Sequence, residues 1–149
     1  MLSVDTGITA KTQTLLHIKN TDTTRNCVIS FIRFQAITNT ASKPVVGEYF
    51  EFGFNRTVAS GGTVTTPVNM NVGSGNTASV VCTGVDPTMA GTFAAIDRMY
   101  HKASGDEYTY NKHGSLILGL NDTFECRLVS AGTGEAKARI TFMMIDKES

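Results

Sequence analysis

Histidine, cysteine and neighbouring carboxylates are the side chains here whose chemistry could define a site. The three cysteines, Cys27, Cys82 and Cys126, are far apart and odd in number. None forms a CxxC pair or stands at ligand spacing from a histidine, so no zinc ribbon, redox pair or structural metal is expected, and no cofactor. Buried free thiols in a reducing compartment fit that spacing best. His101 and His113 flank a stretch with Asp106 and Glu107 near its tip. A hairpin turning at Ser104-Gly105 would set His101 opposite Tyr108 and not beside His113, so a metal would need a third element. Surface or interface histidines are the expectation. Glu48 and Glu51 fall on opposite faces of a strand and are no acid/base pair. Gly132-Thr133-Gly134-Glu135-Ala136-Lys137 lacks the G-x-x-x-x-G-K-[ST] spacing of a phosphate loop and reads as a turn between strands. No nucleophile elbow appears, and no Ser/His/Asp set stands above chance. The expectation is a protein that is not an enzyme, with no catalytic residues.

Tyr100, Tyr108 and Tyr110 are the remaining candidates. A row of tyrosines on a hairpin can stack sugars or bases. Without surrounding Arg or Lys density it serves packing more readily. Thirteen basic and thirteen acidic residues cancel, so the chain advertises neither nucleic acid nor an anionic membrane as partner. No run approaches the ~20 apolar residues of a membrane span. The opening MLSVDTGITAKTQTLLHIK has neither a basic n-region nor a continuous apolar h-region, so synthesis in a cytoplasm is expected.

The elements that must position these groups are strands. From Glu48 to Val72 the chain alternates: Phe50, Phe52 and Phe54 point one way, Glu51, Gly53 and Asn55 the other. After Ser60-Gly61-Gly62 the alternation resumes with Val64, Thr66, Val68, Met70 and Val72, which predicts a half-buried antiparallel hairpin. Cys27–Ala36 is apolar on both faces, with Cys27, Ile29 and Phe31 on one and Val28, Ile32, Phe34 and Ala36 on the other. A strand apolar on both sides is covered on both sides. In a sandwich the second cover is a loop, an arm or another subunit, the first sign of an oligomer. Cys27, Ile29 and Phe31, with Tyr108 and Tyr110, are therefore the candidate interface residues. Asn20 to Thr24 reads as a loop by its side-chain chemistry, and Asp86-Pro87 as the start of a helical turn. Residues 1–13 form an extended arm or a short edge strand, and 14–149 a single domain. About eight to ten short strands without a convincing amphipathic helix predict an all-β antiparallel sandwich or barrel.

Gly61-Gly62-Thr63-Val64-Thr65-Thr66-Pro67-Val68-Asn69-Met70-Asn71, followed by Gly73-Ser74-Gly75-Asn76, resembles small structural proteins of tailed bacteriophages. A Gly-rich turn, a V-T-P-x-N-hydrophobic-N strand and a Gly/Ser break recur in them. Leu16-His17-Ile18-Lys19-Asn20 and Gly114-Ser115-Leu116-Ile117-Leu118 with Asn121-Asp122-Thr123 resemble the same family, so the similarity spans roughly residues 15–146. The resemblance implies a jelly-roll virion protein: a capsid cement or decoration protein stabilising the icosahedral shell as a homotrimer. Its partners would be its own copies and the major capsid protein, and its place the capsid surface. The alternative it implies is a tail- or neck-associated receptor or carbohydrate-binding module. It transfers no catalytic residue.

Titration of the denatured, unreduced protein is expected to find three free thiols; fewer would show a disulfide.

Overall fold

The computed structural model describes residues 2–9, 13–37, 49–70, 73–100, 107–129 and 133–147. The described residues form twelve strands and no helix: β1 (Leu2–Thr9), β2 (Gln13–Asn20), β3 (Arg25–Ile37), β4 (Tyr49–Phe54), β5 (Thr57–Ser60), β6 (Thr63–Thr65), β7 (Val80–Gly84), β8 (Thr88–Ala90), β9 (Ala94–Tyr100), β10 (Glu107–Leu118), β11 (Thr123–Val129) and β12 (Thr133–Asp146). They build an antiparallel β-sandwich. One sheet has the order β1-β12-β3-β10, the other β6-β7-β2-β11-β4-β9, and β5 and β8 pair in a separate ribbon. Four pairings nest inside one another along the chain: β1 with β12, β2 with β11, β3 with β10, β4 with β9. Each inner pair lies in the sheet opposite to the pair outside it. Leu2–Thr9 is thus an edge strand bound to β12 over its whole length.

The core lies between the sheets, and aromatic rings dominate it. Phe52 of β4 stacks on Tyr110 of β10 with centroids 3.9 Å apart, and Phe34 of β3 lies 4.3 Å from Phe50 and 5.8 Å from Phe52. The phenylalanine alternation of β4 is realised, with Phe50 and Phe52 fully buried and Phe54 packed at the margin. The turn chemistry of 20–24 is also realised. Asp22 Oδ1 accepts the backbone N–H groups of Thr24 and Arg25, and Asn20 Oδ1 accepts that of Asp22. Asn20 Nδ2 in turn donates to the carbonyls of Arg25 and Leu118.

Four expectations are corrected. The first concerns β3. Its register with β12 slips between Phe31 and Ile29, leaving Ser30 as an extra residue. A bulge shifts the alternation by one, so Cys27 and Ile29 before it and Ile32 and Phe34 after it all enter the same core. The strand is not two-sided in the manner that implied a second subunit. The second is the Glu48–Val72 hairpin. β4 pairs with β11 and β9, whereas β6 pairs with β7 at the far edge of the sheet. The third is the hairpin across Ser104-Gly105: β9 and β10 belong to different sheets, and residues 101–106, His101 among them, lie outside those described. The fourth is the helical turn at Asp86. Val85 and Asp86 both adopt positive φ, 60° and 49°, and lead straight into β8.

Phe52→Ala should cost about 3–5 kcal/mol, because the ring fills the space between both sheets and cannot be replaced without a cavity. Urea unfolding would measure it; a loss under about 1 kcal/mol would mean the core collapses around the gap.

Candidate functional site

The interface residues expected from sequence separate into two groups. Cys27, Ile29 and Tyr110 lie in the core of this same chain, so their assignment to a subunit interface is corrected. Phe31 and Tyr108 stay half-buried. Tyr108 stacks on Phe34 at 5.6 Å, which makes it a flank of the core, while Phe31 faces outward beside the Ser30 bulge. Tyr100 is exposed next to Tyr49, in a sheet other than that of Tyr108 and Tyr110, so no row of three tyrosines forms. The cysteines are buried and unpaired; burial pushes the Cys27 and Cys82 thiols up to about 12.

Two features remain as candidates. The first is a polar layer on the outer face of the six-stranded sheet. Thr83, His17, Glu125 and Gly53 stand side by side on β7, β2, β11 and β4. In the next row Arg127, Glu51 and Arg98 do so on β11, β4 and β9. Alternation marks these as solvent-facing, yet His17, Glu51, Thr83 and Glu125 are buried. The segments flanking the β5/β8 ribbon cover them. His17 Nε2 bonds the Arg56 carbonyl at 3.0 Å, and Arg56 reaches Glu125 at 3.3 Å. The Arg127 guanidinium lies 3.6 Å over the Phe93 ring. Gly53 admits that ring, since a Cβ there would come within 2.6 Å of it.

Electrostatics in the layer follow from burial and partners. Burial alone would raise Glu51, but hydrogen bonds from Arg98 (2.7 Å) and Arg127 (2.6 and 2.9 Å) outweigh it and hold the carboxyl low. Glu125 is pushed up by burial, opposed by the Thr14 hydroxyl at 2.5 Å. His17 is driven down, first by burial, and so stays neutral. His17 Nδ1 and Glu125 Oε2 have no hydrogen-bond partner. The arrangement can lock the cover down: His17, Glu51, Thr83 and Glu125 are buried beneath it, while the Arg98 side chain at the margin stays 45% exposed. Among the described residues no three His, Cys, Asp or Glu side chains gather as a metal site.

The second feature is open. A groove of about 750 Å³ runs between residues 67–70 and 74–78 and the end of β12, with Phe31, Pro67, Val68, Met70, Phe142 and Met144 along it. Its rim is apolar and wet: Val68 is 71% exposed, Met70 67% and Met143 53%. Isolated exposed apolar residues are ordinary, but several around one cleft mark a contact surface. The alternation of Val64, Val68 and Met70 had placed them in the core. Period two reports a strand with two unlike faces and does not say that the sheet continues beside it.

No protein-family model matches the chain, and no curated protein matches it.

Glu51→Gln should destabilise by about 2 kcal/mol at pH 7, since three charge-assisted hydrogen bonds from two arginines lose their anion. The folded form of Glu51 has a pKa below its ordinary 4.5, so its contribution is present above pH 4.5 and fades as pH falls through the folded value. His17, held below 6.5, acts in the same direction from a higher pH; Glu125, held above 4.5, acts in the opposite one. Urea unfolding from pH 7 to 3 should show the variant losing less stability on acidification than the parent.

Proposed function

We propose that this chain is a non-enzymatic structural protein of a bacteriophage virion, a cement or decoration protein that binds the icosahedral capsid as a homotrimer. The observation that carries the reading is the wet apolar groove on a rigid all-β body. Residues 61–70, within the stretch that resembles phage structural proteins, supply β6 and then Pro67, Val68, Asn69 and Met70 of one groove wall. Resemblance and exposed surface therefore fall on the same segment. The four nested strand pairs support the jelly-roll reading, because a long hairpin rolled across two sheets generates that pairing.

The trimer no longer draws on Cys27–Ala36, which the Ser30 bulge explains within one chain. It draws on the resemblance and on the exposed apolar strip that continues from Met143 to Ile117 and Ile145. Zero net charge lets copies approach without repulsion and makes shell binding lean on apolar contacts, so affinity falls only modestly as salt rises. The receptor- or carbohydrate-binding alternative loses its motive, the tyrosine row.

Co-sedimentation of the purified protein with shells lacking it, paired with electron microscopy, tests the reading. Saturable binding at symmetry-related positions is expected. Binding to host cells or glycans instead of shells would overturn it, and a 16.0 kDa species in light scattering at micromolar concentration would overturn the trimer.

A further inference from the structure

β1 covers only part of β12. Their register ends at Leu2 opposite Ile140, while β12 continues to Asp146. From Thr141 to Asp146 the strand is paired with β3 on one side, and among the described residues nothing pairs with the other. Thr141, Phe142, Met143 and Met144 of that stretch line the groove consecutively, together with Arg25, Ser30 and Phe31 of β3 and with Pro67, Val68 and Met70. An unpaired strand edge presents a row of N–H and C=O groups, and an extended chain is what completes it. The Thr141 hydroxyl is a buried polar atom that has no hydrogen-bond partner among the described residues.

We infer that the groove is a strand-addition site for an extended segment of a partner protein, and that the segment is apolar with one basic residue. The charge pattern selects this occupant. Among the described residues Arg25 is the only ionisable one lining the groove, and Asp22 already holds it at 2.7 and 3.0 Å. A charged side chain entering the middle would be buried without a partner, which is costly. At the end of the edge Asp146 is exposed and has no ion pair among the described residues. Successive residues of a strand alternate in direction, so Phe142, Met144 and Asp146 share one face. A strand antiparallel to β12, as every pairing in this sandwich is, then matches them when it reads basic-x-apolar-x-apolar. The methionines at 70, 143 and 144 suit the site to segments differing in detail, because unbranched thioethers repack easily.

The inference rests on the proposed function only in taking the protein to act by protein contact. The probe is an acetylated, amidated peptide, Thr-Lys-Thr-Val-Thr-Val-Thr, titrated into the isotope-labelled full chain and followed through backbone amide shifts. Shifts confined to residues 141–146, 67–70 and 74–78 are expected. Proline in place of the threonine between the two valines of the peptide removes a ladder N–H, and the Val68→Lys/Met70→Lys pair places charge on an already exposed rim; each should weaken binding about tenfold or more. Asp146→Lys should weaken the lysine peptide up to about fivefold and favour its glutamate counterpart, as a solvent-exposed ion pair does. Absence of shifts at millimolar peptide, or equal binding of the proline peptide, overturns the inference. So does self-association of the free protein that the Val68→Lys/Met70→Lys pair abolishes, since the occupant would then be a second copy. If shells are bound but the peptide is not, the groove assignment falls and the virion reading stands; peptide binding without shell binding reverses that.

Discussion

The stack of Phe52 on Tyr110 is the contact on which the remaining structure depends. The rings belong to different sheets, lie 3.9 Å apart at an interplanar angle of 9°, and are both buried. Around Phe52 gather Phe34 from the facing sheet and Phe124 from the neighbouring strand. Stacked aromatic pairs contribute about 0.5–1.5 kcal/mol beyond the area they bury. Their larger effect here is geometric. Flat rings at van der Waals distance fix the separation of the sheets, and that separation decides which positions on each strand are interior. The bulge at Ser30 then has a definite role: it keeps Cys27 and Ile29 on the Phe34 side of β3 despite the change of parity.

Strands whose two faces differ and which carry no extra residue of their own were legible in the sequence. β4, β11 and the Asn20–Thr24 loop fall in that class because the information is local: alternation in the strands, and side-chain acceptors beside free N–H groups in the loop. What was not legible was non-local. Ser30 has no feature that marks it as the extra residue, since only the register of β12 and β10 against β3 reveals the slip. Nor does anything near Phe54 say that the chain leaves for a ribbon instead of turning back on itself. Val68 and Met70 read as core by type and period, and their exposure follows from the absence of a neighbouring strand.

The polar layer shows the same limit from the other side. His17, Glu51 and Glu125 occupy the positions that alternation gives to solvent, and they are polar as that reading requires. They are nevertheless interior, because Arg56 and Phe93, on the segments that lead into and out of the β5/β8 ribbon, close over them. The six-stranded sheet is thus covered on one face by aromatic and aliphatic side chains and on the other by ion pairs. Each cover has its own specificity. The apolar side tolerates any well-fitting volume, whereas Glu51 needs two guanidinium groups aimed at its two oxygens. Arginine suits that task because its planar fork holds direction.

The nesting of the strand pairs has a consequence for how the molecule comes into being. Its outermost pair joins the first strand to the last, and β12 also sits between β1 and β3. During synthesis β1 and β3 wait without their shared neighbour until β12 has left the ribosome. Contacts of such high sequence separation make folding slow, since loop closure must precede the pairing it permits. Through that interval two strand edges of a nearly complete sheet stand open. The sheet closes only once β12 is available, and its vulnerability to mispairing with a sister chain is greatest just before then.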